Sequence, residues 1–342
     1  MPRAAEPVTE RIYRLRLPLP FRLNHVNAYL IRDDSGWSAV DPGLLIDTTR
    51  PLWESALAGL GLTFADIRRI FVTHFHPDHY GFAGELQRLS GAPVYASNVT
   101  FRLAERHFSR GQIGRSLNFY LRAGMPAELA RAAASFDERL LEQTADVTGE
   151  RIDIGGAESG APMRSLPLGG RTYTVVTGSG HAEGSVGLLD EEEGLLIGGD
   201  LLLQKITPNV SFSYDEERNP LREYFDTLEQ LKRRKIDTVL PGHGSAFKLD
   251  SRLIESVRSH HEERLAEAEE AVTVLAKAGA GTAAPYGICG RLFPKVSDAE
   301  SLRFAVGETS AHLRELEARG VIVRRTEADG RLLFAPAGPA RA

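Results

Sequence analysis

Short apolar runs recur along the first 250 residues, and most of them stop at a polar residue with chemical capability. Asn27 to Arg32 reads as a strand, Asp33 to Gly36 as its turn, and Trp37 to Val40 as the hairpin partner that ends at Asp41-Pro42-Gly43. Pro51 to Leu60 has helical spacing. Arg69 to Val72 is a buried-type strand running into Thr73-His74-Phe75-His76-Pro77-Asp78-His79, and Gly84 to Leu89 and Ala92 to Ala96 read as a helix and a further strand. Strand signals vanish between about 100 and 148, where Ala, Leu, Arg and Glu predict two or three inserted helices. They resume at Arg171 to Val176, Gly194 to Ile197 and Asp237 to Leu240, which lead to His181, Asp200 and His243. Strands alternating with helices predict an α/β architecture.

After Asp250 the pattern changes. Ser251 to Lys277 predicts one long helix with Leu253, Ile254, Val257, Leu265, Ala268, Val272 and Leu275 on its apolar stripe, and His260 and His261 on its surface. Two short helices, Ser301 to Phe304 and Thr309 to Arg319, then precede a hairpin turning at Asp329-Gly330, an order that suggests a winged-helix-like module. The expected division is a catalytic domain over 1–250, with the insertion inside it, and a C-terminal module over 251–342.

Composition narrows the class. The 342 residues are 42% hydrophobic and 25% charged, as in a globular domain. The net charge of −5 argues against a general nucleic-acid surface. The lone cysteine, Cys289, can form neither an intrachain disulfide nor a cysteine-based zinc site. Neither a secretory signal nor a spanning stretch is legible, so the default expectation is a cytoplasmic protein without a membrane partner.

The candidate chemistry is concentrated. His74, His76, Asp78 and His79 fall within six residues directly after a strand. Residues two apart in extended geometry share a side, so His74 and His76 can meet one metal while Asp78 and His79, beyond Pro77, face another. His181, Asp200 and His243 each follow a separate strand and sit among glycines, which let the backbone turn and approach closely. His25, before its strand, is expected to pack rather than to bind; His107 and His312 lack the same context. Asp41 reads equally as a turn residue and as an orienting carboxylate for a ligand imidazole.

These residues, taken in order with Asn27-Ala28-Tyr29-Leu30-Ile31 and Val40-Asp41-Pro42-Gly43, resemble the metallo-β-lactamase superfamily of hydrolases over roughly residues 10–250. The resemblance implies an αββα sandwich. It assigns His74, His76 and His181 to a first divalent metal and Asp78, His79 and His243 to a second, with Asp200 bridging. Zinc is the expected metal, with iron or manganese as alternatives. A metal-bridging hydroxide would attack a thioester, ester or lactone, with Asp78 also handling its proton. A nuclease or phosphodiesterase on the same metals is the runner-up, and a non-hydrolytic iron oxidoreductase or metal-bound regulator is a third class. Aspartate rather than cysteine at position 200 disfavours antibiotic hydrolysis.

The insertion colours the substrate. Between Phe101 and Leu140 it carries seven arginines against four acids, together with Phe101, Phe108, Phe119 and Tyr120. This suits a cap for an acyl group on an anionic carrier such as CoA; the alternative is a solvated face or a homodimer contact. Tyr120, Phe212 and Tyr214 are the candidate substrate residues. The C-terminal arginines are nearly cancelled by acids, which favours packing or dimerisation over a nucleic-acid partner.

Overall fold

The computed structural model describes residues 5–21, 23–155, 165–212 and 218–338. Seven strands form the first sheet in sequential order: β1 (Ala5–Pro7), β2 (Ile12–Pro18), β3 (His25–Asp33), β4 (Gly36–Val40), β5 (Ile67–Phe71), β6 (Val94–Ala96) and β7 (Arg151–Asp153). β1 to β4 pair antiparallel, and β4 to β7 pair parallel. The second sheet holds β8 (Ser165–Leu168), β9 (Arg171–Gly178), β10 (Ser185–Asp190), β11 (Leu195–Gly199), β12 (Thr238–Pro241) and β13 (Phe247–Lys248), with only β11 and β12 parallel.

The two sheets face each other, as the period-two alternation of side chains requires. Along β3, Tyr29 and Ile31 join Val40 and Phe71 in a core shared with Tyr173, Val175, Val186, Leu188, Ile197 and Leu240 of the second sheet. Val26, Ala28 and Leu30 point the other way, into a core with Trp53, Ala56 and Leu57 of helix α1 (Thr49–Gly59). Burial on both faces explains why β3 reads as a nearly continuous apolar run.

Short α2 (Pro77–Tyr80) and α3 (Ala83–Ser90) follow β5. The insertion forms α4 (Asn98–His107), α5 (Gly111–Arg122) and α6 (Ala127–Glu142), and α7 (Pro220–Lys232) precedes β12. The C-terminal region comprises α8 (Ser251–Ala278), α9 (Pro285–Leu292), α10 (Ala299–Ala318) and the hairpin β14 (Ile322–Thr326) with β15 (Leu332–Pro336). The chain divides into two compact units. The first takes Met1–Ser109, Leu140–Pro208 and Gln230–Asp250; the second takes Arg110–Arg139, Asn209–Glu229 and Ser251–Ala342.

Two expectations for the second unit are corrected. The two short helices before the hairpin are one, α10, which passes through Gly307 without a break. A Cβ there would come within 2.8 Å of Ser211 Oγ, so the glycine serves close packing rather than helix termination. His261 is not on the surface but fully buried. It sits four residues after Val257 and four before Leu265, on the stripe that α8 buries. His312 Nδ1 donates to the Glu308 carbonyl at 2.8 Å, leaving its Nε2 to accept from His261 Nδ1 at 3.2 Å.

Burial pushes both rings down from an ordinary value of 6.5, His261 to about 3 and His312 to about 4. A base whose pKa is depressed on folding stabilises the fold in its neutral form. That contribution is complete above pH 6.5 and is lost as pH falls towards 4. The melting temperature of metal-free protein should therefore fall between pH 7 and pH 5, and His261→Leu should narrow the fall. An unchanged fall would assign the acid lability to other groups.

Candidate metal centre

The site is built at one edge of the first unit, where β4, β5, β9, β11 and β12 end and where β3, antiparallel to β4, begins. Its organising group is Asp41. Among described residues it is the one non-glycine with positive φ, +51°, a conformation that aspartate tolerates better than most side chains. The turned carboxylate accepts from Thr73 N–H through Oδ1 and from the Thr73 hydroxyl through Oδ2, both at 2.8 Å; Oδ2 also accepts from His79 Nδ1 at 2.8 Å. Because the Thr73 hydroxyl proton goes to Asp41, Thr73 Oγ1 accepts from His74 Nδ1 at 2.9 Å. One carboxylate thus fixes the ring of His79 directly and that of His74 through Thr73, and turns both Nε2 atoms towards the cluster. Of its two sequence readings, the orienting one holds.

Three ligand-type groups interlock: His74, His76 and His181; His74, His79 and Asp200; Asp78, His79 and His243. Within each, the donor atoms lie within 4.8 Å of one another. His74 Nε2 is 3.1 Å from His76 Nδ1, which is 3.0 Å from His181 Nε2. Nitrogens bound at about 2.0–2.1 Å to one tetrahedral zinc would stand about 3.3 Å apart, so the trio is close to that spacing. His243 Nε2 lies 3.2 Å from Asp78 Oδ2 and 3.3 Å from Asp200 Oδ2, while Asp200 Oδ2 is 3.5 Å from His181 Nε2. Asp200 therefore reaches both sets.

Whether a metal fits is answered by two orphaned atoms. His79 Nε2 and Asp200 Oδ1 are buried without a hydrogen-bond partner and stand 3.6 Å apart, too far to bond each other. Buried polar atoms are rarely left so. A cation among these nitrogens and carboxylates would satisfy both, and the histidine–carboxylate donor set suits zinc and related divalent ions.

The charges point the same way. Burial holds His74 and His76 well below the ordinary range, hence neutral. Burial also opposes the charged forms of His79 and His243. Asp41, Asp78 and Asp200 outweigh it at His79, raising it to about 9, and Asp200 and Asp78 raise His243 to about 11. Asp78 is held well below the carboxylate range against its burial by His79 and His243. Without a metal, protons on two histidines balance the carboxylates.

Close approach explains the neighbouring glycines. A Cβ on Gly242 would stand 2.4 Å from Asp200 Oδ1 and 2.5 Å from His79 Cε1, and one on Gly199 would stand 2.4 Å from Thr73 Oγ1. His25 does pack rather than point at the cluster, but it is not a bystander. Its carbonyl accepts from His243 Nδ1 at 2.7 Å, and its Nε2 accepts from Gly244 N–H at 3.1 Å. His107, at the end of α4, stacks on Phe75 with ring centroids 4.6 Å apart, and Phe75 in turn sits edge-on to His76. At the other end of α4, Ser97 and Thr100 hydroxyls bond the Gly184 carbonyl, three residues after His181. The first insertion helix thus braces two of the loops that carry the cluster.

Two of the proposed substrate residues belong to the second unit. Tyr120 is buried in a core of the second unit with Cys289 and Val306, and Phe212 is buried beside Phe119 in that unit. Tyr214 lies outside the described residues.

Divalent metal taken up by these residues must displace the protons on His79 and His243, which are both charged at pH 7 in the metal-free protein. Binding should release about two protons per chain at pH 7. Calorimetric titration in buffers of different ionisation enthalpy measures this directly, and buffer-independent heats would contradict it.

The profile of the Metallo-beta-lactamase superfamily matches residues 22–162 and 164–243, and that of the metallo-beta-lactamase-like C-terminal domain matches residues 270–337. The chain is 27% identical over 326 residues to the probable metallo-hydrolase YqjP of Bacillus subtilis, covering 92% of this chain and 94% of that protein. It also resembles two solved structures. For the metallo-beta-lactamase family protein TTHA1429 of Thermus thermophilus the TM-score is 0.81 at 28% identity, over 96% of this chain and 100% of that one. For a beta-lactamase domain protein of Burkholderia ambifaria it is 0.84 at 29% identity, over 98% and 96%. With more than half of its length under the first profile and its histidine–aspartate cluster at the sheet edge, the chain belongs to the metallo-beta-lactamase superfamily of metal-dependent hydrolases.

Proposed function

We propose that the protein binds two divalent metal ions, zinc by preference, and hydrolyses a thioester, ester or lactone. His74, His76 and His181 would hold one ion, Asp78, His79 and His243 the other, and Asp200 both. The observation that carries this reading is the interlocked set of three ligand groups with two unsatisfied buried atoms, His79 Nε2 and Asp200 Oδ1, between them. The ions would supply an activated water and stabilise negative charge developing on the substrate oxygen.

The chain's own residues do the rest. Asp78 is the most accessible acid of the cluster: its side chain is 17% exposed, against 6% for Asp200 and 2% for Asp41. Held ionised, it is placed to orient a water and to take its proton on a carboxylate oxygen. Asp41 and Thr73 hold His79 and His74 so that the acceptor nitrogens do not rotate away. Phe75 packs edge-on against His76 and is itself backed by the His107 ring, which limits movement of the His76 imidazole.

Carbonyl rather than phosphodiester chemistry is favoured by charge. A polymer-cleaving enzyme needs an extended basic track to offset the field of its substrate. In the C-terminal module Arg303 pairs with Asp137, Arg314 and Arg324 with Glu317, Arg319 with Glu262, and Arg331 with Asp329. α10, which precedes the hairpin, buries residues along its length from Leu302 to Leu316. A small acyl group on an anionic carrier such as CoA, which the arginine excess of the insertion would attract, is the substrate class proposed. Among the described residues no helix is long and apolar enough to cross a membrane.

Initial rates on acyl-CoA thioesters, acyl lactones, bis-p-nitrophenyl phosphate and single-stranded RNA should rank the carbonyl compounds first, with His76→Ala as the blank. RNA cleaved alone, and lost in that variant, would replace this reading by a nuclease. Asp200→Ala and His76→Ala should each reduce turnover by more than about a hundredfold, the upper range for removing an outer-shell partner, while circular dichroism remains that of the folded chain. Full activity with unchanged metal content in Asp200→Ala would remove the bridging assignment.

A further inference from the structure

The loop that carries His243 belongs to the second sheet but is gripped by the first. Six hydrogen bonds join Pro241–Gly244 to the first half of β3, from His25 to Tyr29. Asn27 Nδ2 donates to the Pro241 carbonyl at 2.9 Å and to the Gly244 carbonyl at 2.9 Å. The Tyr29 hydroxyl donates to the same Pro241 carbonyl at 2.7 Å, and Asn27 N–H donates to the Gly242 carbonyl at 2.7 Å. The remaining two are those already described between His25 and the His243–Gly244 pair.

Asn27 spans the loop. Both hydrogens of its amide are used, one on each side of His243, and the assignment is unambiguous because a flipped amide would place its oxygen against two carbonyl oxygens. Asn27 is fully buried and Tyr29 nearly so, which keeps water from replacing a lost donor. The ring of His243 has one free direction of adjustment, the position of its backbone, because its Nδ1 is already committed to the His25 carbonyl. Whatever fixes that backbone fixes the distance of His243 Nε2 from Asp78 and Asp200. The trio His74, His76 and His181 makes none of these bonds: His74 is held by Thr73, just past β5, and the loop of His181 by the Ser97–Gly184 bond.

We propose that Asn27 and Tyr29 are positioning residues for one of the two metal positions only: they hold the loop that aims His243 and leave the three-histidine position alone. The inference rests on the two-metal reading above. It predicts a separation that a merely structural role would not produce, namely selective loss of one ion.

Asn27→Asp keeps the shape, removes both donors and sets a carboxylate against two carbonyl oxygens. Tyr29→Phe removes one donor and no packing. Chelated wild type, both variants, His243→Ala and His76→Ala would each be titrated with zinc under equilibrium dialysis, with bound metal counted by elemental analysis and melting temperature followed in parallel. The wild type should take up two ions. Asn27→Asp should keep one at wild-type affinity and bind the other about ten- to a hundredfold more weakly, as loss of an outer-shell partner does. Its titration should match that of His243→Ala and not that of His76→Ala. Tyr29→Phe should weaken the same ion by about tenfold or less, and it carries the test alone if Asn27→Asp does not fold.

Wild-type affinity for both ions in Tyr29→Phe and in any folded Asn27→Asp would overturn the inference. So would equal weakening of both ions alongside a lowered melting temperature. A wild type that binds a single ion would instead overturn the two-metal reading, and this inference with it.

Discussion

The hydrogen bonds of the Asp41 carboxylate are the point at which sheet geometry becomes site geometry. Asp41 continues the first sheet by donating its own N–H to the Phe71 carbonyl at 2.9 Å, then leaves extended conformation at φ +51°. Such a backbone costs on the order of 1–3 kcal/mol unless its surroundings fix it, and here three hydrogen bonds to Thr73 and His79 do so. Two histidine ring orientations follow from that one carboxylate. If Thr73 or His79 turned away, a buried carboxylate would lose part of its hydrogen bonding, which is more unfavourable than loss of an ordinary surface contact. The strain at Asp41 and the orientation of His74 and His79 are therefore parts of one arrangement.

The cluster beyond Asp41 concentrates two carboxylates and five imidazoles with little solvent. Such a group is stable only if positive charge accompanies the anions. In the metal-free protein that charge is carried by protons on His79 and His243, raised to about 9 and about 11 against the effect of burial. The same two rings would have to lose those protons to bind a metal. Protons and a bound metal ion would fill one electrostatic role there, and each would exclude the other. His74 and His76, pushed towards neutrality by burial, present lone pairs without needing to lose a proton.

What the sequence disclosed and what it hid divide along a physical line. The seven candidate ligands were legible because they fall in four short segments that each begin at a strand end, and a strand end is a local feature. The stripe of α8 was legible for the same reason. The supports were not. Thr73 is adjacent to a ligand but acts through Asp41, 32 residues away, and Asn27 bonds Pro241 across 214 residues. No local periodicity encodes a partner at that separation. His261 was misread as exposed because His260, Glu262 and Glu263 surround it in sequence, although its spacing from Val257 and Leu265 placed it on the buried stripe. Asp41 could be read either way because a turn before Pro42-Gly43 and an orienting carboxylate demand the same residue type.

That division bears on how a two-sheet site can be accurate. The core between the sheets, from Tyr29 and Phe71 to Leu188 and Ile197, drives their association, but apolar burial has no preferred direction and tolerates small slides. A histidine–aspartate cluster drawn from both sheets does not: His74, His76, Asp78 and His79 come from the first, His181, Asp200 and His243 from the second. Directional bonds at the shared edge are needed to convert association into registration. They are present at both ends of the cluster, as Val186 N–H to the Thr73 carbonyl at 2.8 Å and as the Asn27 and Tyr29 bonds to Pro241. The polar residues buried at this edge are thus explained by registration rather than by stability alone. It is also why an asparagine occupies a strand position that would otherwise take another apolar side chain.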